Sequence, residues 1–337
     1  MKVVAITGKQ QAACVEKPMP KIRQDFVLVK IEIAPMCTEY KAYKEGWISD
    51  TLGHEAAGVV VEVAQPGKVK VGDRVVVMPQ YPCGKCSLCM RGDYIYCEHG
   101  VDALSICDSQ TGTATYAQYM IKQDWLLLPI PDDMSTERAS MVCCGLGPTF
   151  GAMQRMEVNA FDTVLVLGLG PVGLGAVINS VYRGAKVIGV ESQPYRAKLA
   201  LDLGAKTVLN PNDPDVLAQI KGLTGGLGVD KAIVCTAVPA AQKLAIDATR
   251  RRGQVAFVGW GGHLELGNMV PQGLTLHGVW HWNLQDMHPF LKMINQVGDL
   301  IDRQITHTFP MSRVQDAWEL QLTGNCGKVL LKPWEGV

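Results

Sequence analysis

The stretch that most constrains this chain is Thr163–Gly175, which reads TVLVLGLGPVGLG. Its four consecutive apolar residues, 164–167, are typical of a strand buried on both faces of a parallel sheet, and a helical pattern follows the glycines. In the pattern G-x-G-x-x-G, Gly168 allows a tight turn, Gly170 lets the backbone approach a pyrophosphate, and Gly173 lets the helix pack closely on the strand. The sequence therefore predicts a strand–turn–helix unit that binds a dinucleotide.

A second predicted strand supports this interpretation. Lys186–Val190 is mainly apolar, and Glu191 follows it, 18 residues after Gly173. A carboxylate at this distance can bind both ribose hydroxyls of NAD, and its charge would repel the 2′-phosphate of NADP. We therefore expect NAD rather than NADP. The cofactor-binding residues expected from this pattern are Gly168, Gly170, Pro171, Val172, Gly173 and Glu191.

Length and charge limit the class of protein. A chain of 337 residues is long enough for two domains, each with its own core. The 32 basic and 32 acidic residues balance, which argues against nucleic acid or an anionic membrane surface as a partner. No apolar run approaches the roughly 18 residues of a spanning helix, and the N-terminus lacks the pattern of a signal peptide. We therefore expect a cytoplasmic protein with no membrane partner.

Four cysteines lie close together in the segment YPCGKCSLCMRGDYIYC, with the spacing C-x2-C-x2-C-x7-C. Four thiolates placed in this way can close a tetrahedral shell around zinc, with no room for water or substrate. Disulfides are less plausible in a reducing compartment, and the spacing differs from that of the common ferredoxin clusters. The segment 83–97 is therefore predicted to bind a structural zinc through Cys83, Cys86, Cys89 and Cys97.

A second set of metal-ligating residues is scattered along the chain. Cys37 follows one predicted strand, His54 precedes the next, and either Cys143 or Cys144 can supply a third ligand. Two cysteines and one histidine with an open fourth position form a known type of catalytic zinc site. Glu55 follows the histidine directly, and we expect it to tune the metal from outside the ligand set and to contact it transiently.

The order of the predicted elements indicates two kinds of domain. Short strands, including Phe26–Ile33 and Thr113–Tyr119, suggest a barrel-like β module in the first part of the chain. Strand and helix patterns alternate in the next part, as in a doubly wound parallel sheet. The predicted domains are 1–148, 149–285, and a C-terminal segment 286–337 that returns to the first domain.

Five features together resemble the zinc-dependent alcohol dehydrogenases of the medium-chain dehydrogenase/reductase superfamily. They are Cys37, the Gly-His-Glu at 53–55, the four-cysteine segment, the G-x-G-x-x-G unit and the final strand at Gly327–Val329. The resemblance covers essentially the whole chain and is strongest to the polyol, sorbitol and threonine dehydrogenases. It implies an α/β protein with a GroES-like, mainly-β catalytic domain and a Rossmann domain, assembled as a homodimer or homotetramer. It also implies that Arg196 contacts the adenosine ribose or the pyrophosphate of the cofactor.

The resemblance further implies an enzyme that transfers hydride reversibly between a secondary alcohol and NAD. The substrate would be a polyol, sugar alcohol, cyclitol or amino alcohol, with one catalytic and one structural zinc in each chain. The family pattern places catalytic zinc ligands on Cys37, His54 and the third-ligand position. Counting back six residues from Phe150, which resembles a family aromatic residue, favours Cys144 over Cys143.

The chain departs from the family pattern at Cys37–Tyr40, where relatives usually have Cys, a small residue, Ser or Thr, and Asp. Read without a gap, Glu39 takes the position of the hydroxyl that relays the substrate proton; with one residue deleted, Thr38 takes it. Because Cys37–Gly46 is one residue shorter than in typical relatives, we expect Thr38 to relay the proton, with Glu39 as the alternative. This altered stretch also favours the other hypothesis, a non-enzymatic NAD-binding or structural protein that retained the fold.

Overall fold

The computed structural model describes residues 1–262 and 269–336, and it divides them into two compact units. The first unit comprises Met1–Cys143, Asn283–Asn295 and the residues from Ile305 onward. The second unit comprises Cys144–Trp282 and Gln296–Gln304. The predicted domain boundaries, after residues 148 and 285, lie a few residues from these divisions, and the prediction did not separate 296–304 from the rest of the C-terminal segment.

Strands predominate in the first unit, and strands alternate with helices in the second. The strands are β1 (Lys2–Gly8), β2 (Gln11–Glu16), β3 (Phe26–Pro35), β4 (Ala56–Val63), β5 (Arg74–Val77), β6 (Tyr119–Gln123), β7 (Leu127–Pro129), β8 (Thr163–Leu167), β9 (Lys186–Val190), β10 (Thr207–Leu209), β11 (Val229–Val234), β12 (Thr249–Phe257), β13 (Thr275–Gly278), β14 (Ile305–Pro310) and β15 (Lys328–Lys332). The α-helices are α1 (Tyr40–Glu45), α2 (Ser87–Met90), α3 (Ala103–Cys107), α4 (Thr136–Ser140), α5 (Gly147–Arg155), α6 (Pro171–Tyr182), α7 (Pro194–Asp202), α8 (Val216–Leu223), α9 (Pro239–Ala248), α10 (Met269–Gln272), α11 (Met287–Gln296), α12 (Gly298–Gln304) and α13 (Val314–Thr323). Among the helices of the described residues, none has the length and apolar character needed to cross a membrane.

The strand β3 is the centre of the first unit. It pairs antiparallel with β4, β6 and β15, and the sheet has the order β14-β15-β3-β4-β5-β7. The strands β1 and β2 form a separate two-stranded sheet. Alternate residues of β3, among them Val29 and Ile31, are fully buried in a core that also contains Trp318 of α13. The β-rich character of this unit agrees with the predicted barrel-like module.

The segment before β6 differs from the sequence prediction. A strand was predicted at Thr113–Tyr119, and this is wrong, because β6 begins only at Tyr119. The amides of Thr115 and Tyr116 both donate to the carbonyl of Leu52, at 3.0 Å each, instead of to a neighbouring strand. This irregular backbone lies beside Gly53, where an added Cβ would come within 2.6 Å of Cδ1 of Tyr116.

The second unit is built on six parallel strands in the order β10-β9-β8-β11-β12-β13. Residues 164–167 of β8 are fully buried, as the continuous apolar run predicts. The order of the strands reverses at β8, which has β9 on one side and β11 on the other. In such sheets, ligands bind outside the carboxyl ends of the strands at this switch point. The predicted doubly wound α/β fold is confirmed.

Candidate metal centres and cofactor-binding turn

The four cysteines of the segment 83–97 converge in the first unit. Their sulfur atoms all lie within 4.8 Å of one another. The Sγ of Cys86 is 3.5 Å from that of Cys89, and the Sγ of Cys97 is 3.6 Å from that of Cys83. Thiolates about 2.3 Å from a common tetrahedral centre are separated by about 3.8 Å, so these distances fit a single zinc. None of these four cysteines forms a disulfide. If all four bind one zinc ion, its tetrahedral shell is complete and no further ligand can bind.

Backbone and side-chain groups hold this segment in place. The backbone amide of Lys85 is the largest influence on the Cys83 thiol, and it helps to lower the pKa of that thiol to about 6. The side-chain amide of Asn283 donates to the carbonyl of Arg91 at 2.9 Å and to Oδ1 of Asp93 at 3.0 Å. Sequence analysis did not single out Asn283, because the residues that it joins are about 190 positions away in the chain.

A second cluster contains Cys37, His54, Glu55 and Cys144, and one donor atom of each lies within 4.8 Å of the others. Cys37 follows the end of β3, and His54 and Glu55 directly precede β4. The structure places Cys144 in this cluster and not Cys143. The Cys143 thiol is fully buried and donates instead to the carbonyl of Val77, at 3.5 Å.

The imidazole of His54 is oriented by a carboxylate. Its Nδ1 lies 2.7 Å from Oε1 of Glu39, and its Nε2 lies 4.0 Å from Oε1 of Glu55. When Nδ1–H donates to a carboxylate, the lone pair of Nε2 is available to a metal. Burial tends to raise the pKa of Glu39, but the hydrogen bond and the charge of His54 lower it below its ordinary value. Glu39 is therefore suited to remain ionised and to hold the ring.

Thr38 and Glu39 occupy different surroundings. Thr38 is exposed, and its backbone carbonyl accepts from the amide of Lys41 at 3.0 Å. Glu39 is largely buried, and its Oε2 accepts from the hydroxyl of Tyr116 at 2.9 Å. Of the two residues predicted for the proton relay, the structure thus gives Glu39 a contact with a candidate metal ligand and leaves Thr38 open to solvent.

Glu55 is paired with a lysine from the last strand. The ammonium of Lys328 lies 2.7 Å from Oε1 of Glu55, and both side chains are completely buried. Burial raises the pKa of Glu55 to about 7, although the charge of Lys328 acts in the opposite direction. In the sequence, Lys328 was noted only as part of the final strand at Gly327–Val329, which contributes to the family resemblance. A lysine directly before the apolar run Val329–Leu331 is the signal that could have indicated a buried partner.

The second unit contains the predicted cofactor-binding turn. Gly168 has a φ of +82°, which favours glycine, and a Cβ on Gly173 would lie 1.9 Å from the carbonyl oxygen of Gly168. Gly170 precedes α6, whose first residue is Pro171, and the nearest atom to a Cβ built on Gly170 is the Nη1 of Arg196, at 4.0 Å. The backbone amides in the first turn of α6 and this guanidinium are suited to bind a pyrophosphate.

Glu191 is fixed at the carboxyl end of β9. Its Oε2 accepts from the amide of Leu169 at 2.7 Å, and its Oε1 accepts from the amides of Ser192 and Gln193 at 2.9 Å. The carboxylate is therefore held beside the glycine-rich turn. Val172 lies in the first turn of α6, between Pro171 and Gly173.

Comparisons with known proteins place the chain among the alcohol dehydrogenases. The family model of the alcohol dehydrogenase GroES-like domain matches residues 23–132, and that of the zinc-binding dehydrogenase matches residues 171–296. L-threonine 3-dehydrogenase of Caldanaerobacter subterraneus is 31% identical over 347 residues, covering 98% of each chain. Sorbitol dehydrogenase of Bacillus subtilis is 29% identical over 353 residues, covering 99% of this chain and 97% of that protein.

A solved structure supports the fold. The alcohol dehydrogenase TADH from Thermus sp. ATN1 superposes with a TM-score of 0.88 at 24% identity, covering 98% of this chain and 99% of that chain. The first unit is thus a GroES-like domain and the second a Rossmann domain, as predicted. The chain belongs to the zinc-type alcohol dehydrogenases of the medium-chain dehydrogenase/reductase superfamily.

Proposed function

We propose that this oxidoreductase is a zinc- and NAD-dependent dehydrogenase that interconverts a secondary alcohol and the corresponding ketone. The observation that carries the proposal is the convergence of Cys37, His54 and Cys144, with Glu55 beside them. Relatives are named sorbitol dehydrogenase, L-threonine 3-dehydrogenase and D-arabitol-phosphate dehydrogenase. Their names favour a sugar alcohol or other polyol, or an amino alcohol, as the substrate.

The donor set of the second cluster fits zinc. Two thiolates and one imidazole suit this ion, and three protein ligands leave the fourth position open to a substrate oxygen. Zinc in such a site supplies Lewis-acid chemistry, which lowers the pKa of a bound water from 15.7 to about 7, a change of about 12 kcal/mol. The four-cysteine site, by contrast, uses every position for protein ligands and is proposed to be structural.

Residues around the cluster are assigned roles by their contacts. Glu39 orients His54, and Lys328 balances the charge of Glu55. Thr38 is proposed to pass the substrate proton to solvent, because its side chain is exposed next to Cys37. If Thr38 has this role, Thr38→Val should lower kcat and leave the zinc content unchanged.

NAD is the proposed cofactor. The glycine-rich turn, the start of α6 and Arg196 supply groups for the pyrophosphate. Three backbone amides hold the Glu191 carboxylate in place, so it can accept hydrogen bonds from ribose hydroxyls and repel a 2′-phosphate.

We also propose that the protein is a cytoplasmic homodimer or homotetramer. Its eleven cysteines form no disulfide within the described residues, which suits a reducing compartment. Within the described residues, β13 is an edge strand that pairs with β12, and such an edge can pair with a second copy. Light scattering of the purified protein measures its mass in solution, and a monomer would contradict the assembly proposed here.

Native mass spectrometry and NAD reduction test the central proposal together. We expect two zinc ions per wild-type chain and NAD-dependent oxidation of at least one polyol, cyclitol or amino alcohol. Cys37→Ser should retain one zinc and lose activity, whereas the matched variant Cys14→Ser should retain both, because Cys14 lies outside both clusters. One zinc in the wild-type chain, not increased by added zinc, together with no activity, would favour the non-enzymatic alternative.

A further inference from the structure

The hydroxyl of Tyr116 contacts the carboxylate that orients His54. Tyr116 is completely buried, and its hydroxyl donates to Oε2 of Glu39 at 2.9 Å. The other oxygen of Glu39 lies 2.7 Å from Nδ1 of His54. Tyr116, Glu39 and His54 therefore form a continuous hydrogen-bonded chain that ends at a candidate metal ligand.

Both the backbone and the ring of Tyr116 are held in place by contacts. The amide of Tyr116 donates to Leu52 at 3.0 Å, and its carbonyl accepts from Val4 at 2.8 Å. The ring lies so close to Gly53 that no side chain fits there, and Gly53 directly precedes His54. The ring centroid is 6.2 Å from that of Trp318. Backbone and ring contacts thus place the hydroxyl independently of Glu39.

The hydrogen bond from Tyr116 stabilises one orientation of Glu39, whose side chain is otherwise flexible. A glutamate loses on the order of 1.5–2 kcal/mol of side-chain conformational entropy when it is fixed. Its Oε2 also lies 3.3 Å from the amide of Cys37, which in turn is 3.4 Å from the hydroxyl of Tyr116. Two donors on Oε2 fix the plane of the carboxylate, so that Oε1 faces His54.

We propose that Tyr116 is a positioning residue of the metal centre, which locks Glu39 in the orientation that presents Nε2 of His54 to zinc. This inference rests on the proposed function insofar as Cys37, His54 and Cys144 bind zinc. It extends that function to a residue outside the ligand set, because partners of metal-binding histidines commonly affect metal affinity.

The test is the zinc affinity of Tyr116→Phe, which removes the hydroxyl and keeps the ring. Native mass spectrometry during titration with a chelator follows the loss of each zinc, and Cys37→Ser identifies the signal of the catalytic site. We expect the catalytic site of Tyr116→Phe to release zinc at a free-zinc concentration about tenfold higher than wild type. The four-cysteine site serves as an internal reference and should not change.

Tyr43→Phe is the matched control. Tyr43 is also completely buried, its hydroxyl donates to the carbonyl of Gln10 at 3.1 Å, and its ring stacks on Trp318 at 4.9 Å. It should bind zinc as the wild type does. In a Glu39→Gln background, Tyr116→Phe should have a smaller effect than in the wild type, because the two residues act in one chain.

The outcomes separate this inference from the proposed function. Wild-type affinity in Tyr116→Phe, or an equal loss at both zinc sites, overturns the positioning role. A selective loss with no NAD reduction by the wild type supports the positioning role while the dehydrogenase proposal fails. A wild-type chain with no zinc at the second cluster overturns both.

Discussion

Replacing the buried Lys122 with methionine is expected to change how the stability of the protein depends on pH. The side chain of Lys122 is 2% exposed. Its ammonium group donates to the carbonyl of Gln80 at 2.6 Å and lies 3.8 Å from the centroid of the Tyr81 ring. Burial lowers the pKa of Lys122 to about 7, and the nearby Cys143 opposes this only in part. The amine of Lys122 thus binds a proton less tightly in the folded protein than in the unfolded chain.

The sign and size of the effect follow from these values. Between the folded pKa of about 7 and the ordinary value of 10.5, the unfolded chain binds the proton and the folded protein does not. The free energy of unfolding therefore rises with pH in this range. The two values differ by about 3.5 pH units, which at about 1.36 kcal/mol each corresponds to roughly 5 kcal/mol. The folded state carries this cost in full below about pH 7 and loses it above about pH 10.5.

Urea denaturation of wild type and Lys122→Met at several pH values measures the effect. The wild type should gain about 2.5 kcal/mol relative to the variant between about pH 7.5 and about pH 9.5, because only the wild type has this amine. Lys21→Met is the control, since it removes the same charge from an exposed side chain. A constant difference between wild type and Lys122→Met across this range would refute the reasoning, whatever the sign of that difference.

Three further predictions concern the two zinc sites and the cofactor. Cys144→Ser should lower the zinc content from two ions to one, whereas Cys143→Ser should leave it at two, because only Cys144 lies in the second cluster; metal analysis that shows the reverse would contradict the assignment. Glu191→Ala should reduce the preference for NAD over NADP about tenfold in kcat/KM, and an unchanged ratio would show that this carboxylate does not select the cofactor. Asn283→Ala should speed proteolysis within the segment 83–97, since it removes two hydrogen bonds to Arg91 and Asp93; cleavage at the wild-type rate would mean that the four thiolates alone hold the segment.

Local patterns in the sequence were enough to predict several parts of this protein. The strand β8, the glycine turn and α6 are contiguous, so their residues are close in space as soon as the local structure forms. The four cysteines of the segment 83–97 are also close together along the chain, and their sulfur atoms converge as their spacing predicted. The alternation of strands and helices likewise predicted the parallel sheet of the second unit.

Contacts between residues that are far apart along the chain could not be predicted from local patterns. Tyr116 and Glu39 are 77 positions apart, and Lys328 and Glu55 are 273 positions apart, so no local pattern connects them. The irregular backbone that places Tyr116 beside Gly53 was even predicted to be a strand, because the segment is rich in residues that favour strands. The amides of Thr115 and Tyr116 donate instead to Leu52, a loop residue.

Cys143 and Cys144 show most clearly what the sequence predicted and what the structure added. Both are small thiols in neighbouring positions. Their residue types left either as a third zinc ligand, and only the family resemblance favoured Cys144. Successive side chains leave the backbone in different directions, so one thiol faces the carbonyl of Val77 and the other faces Cys37 and His54. The fold class, the four-cysteine cluster and the glycine-rich turn could be predicted from the sequence, because each depends on residues that are close along the chain. The thiol that joins the second cluster and the side chains that orient its ligands were identified only in the structure, because they depend on how separate strands and loops pack together.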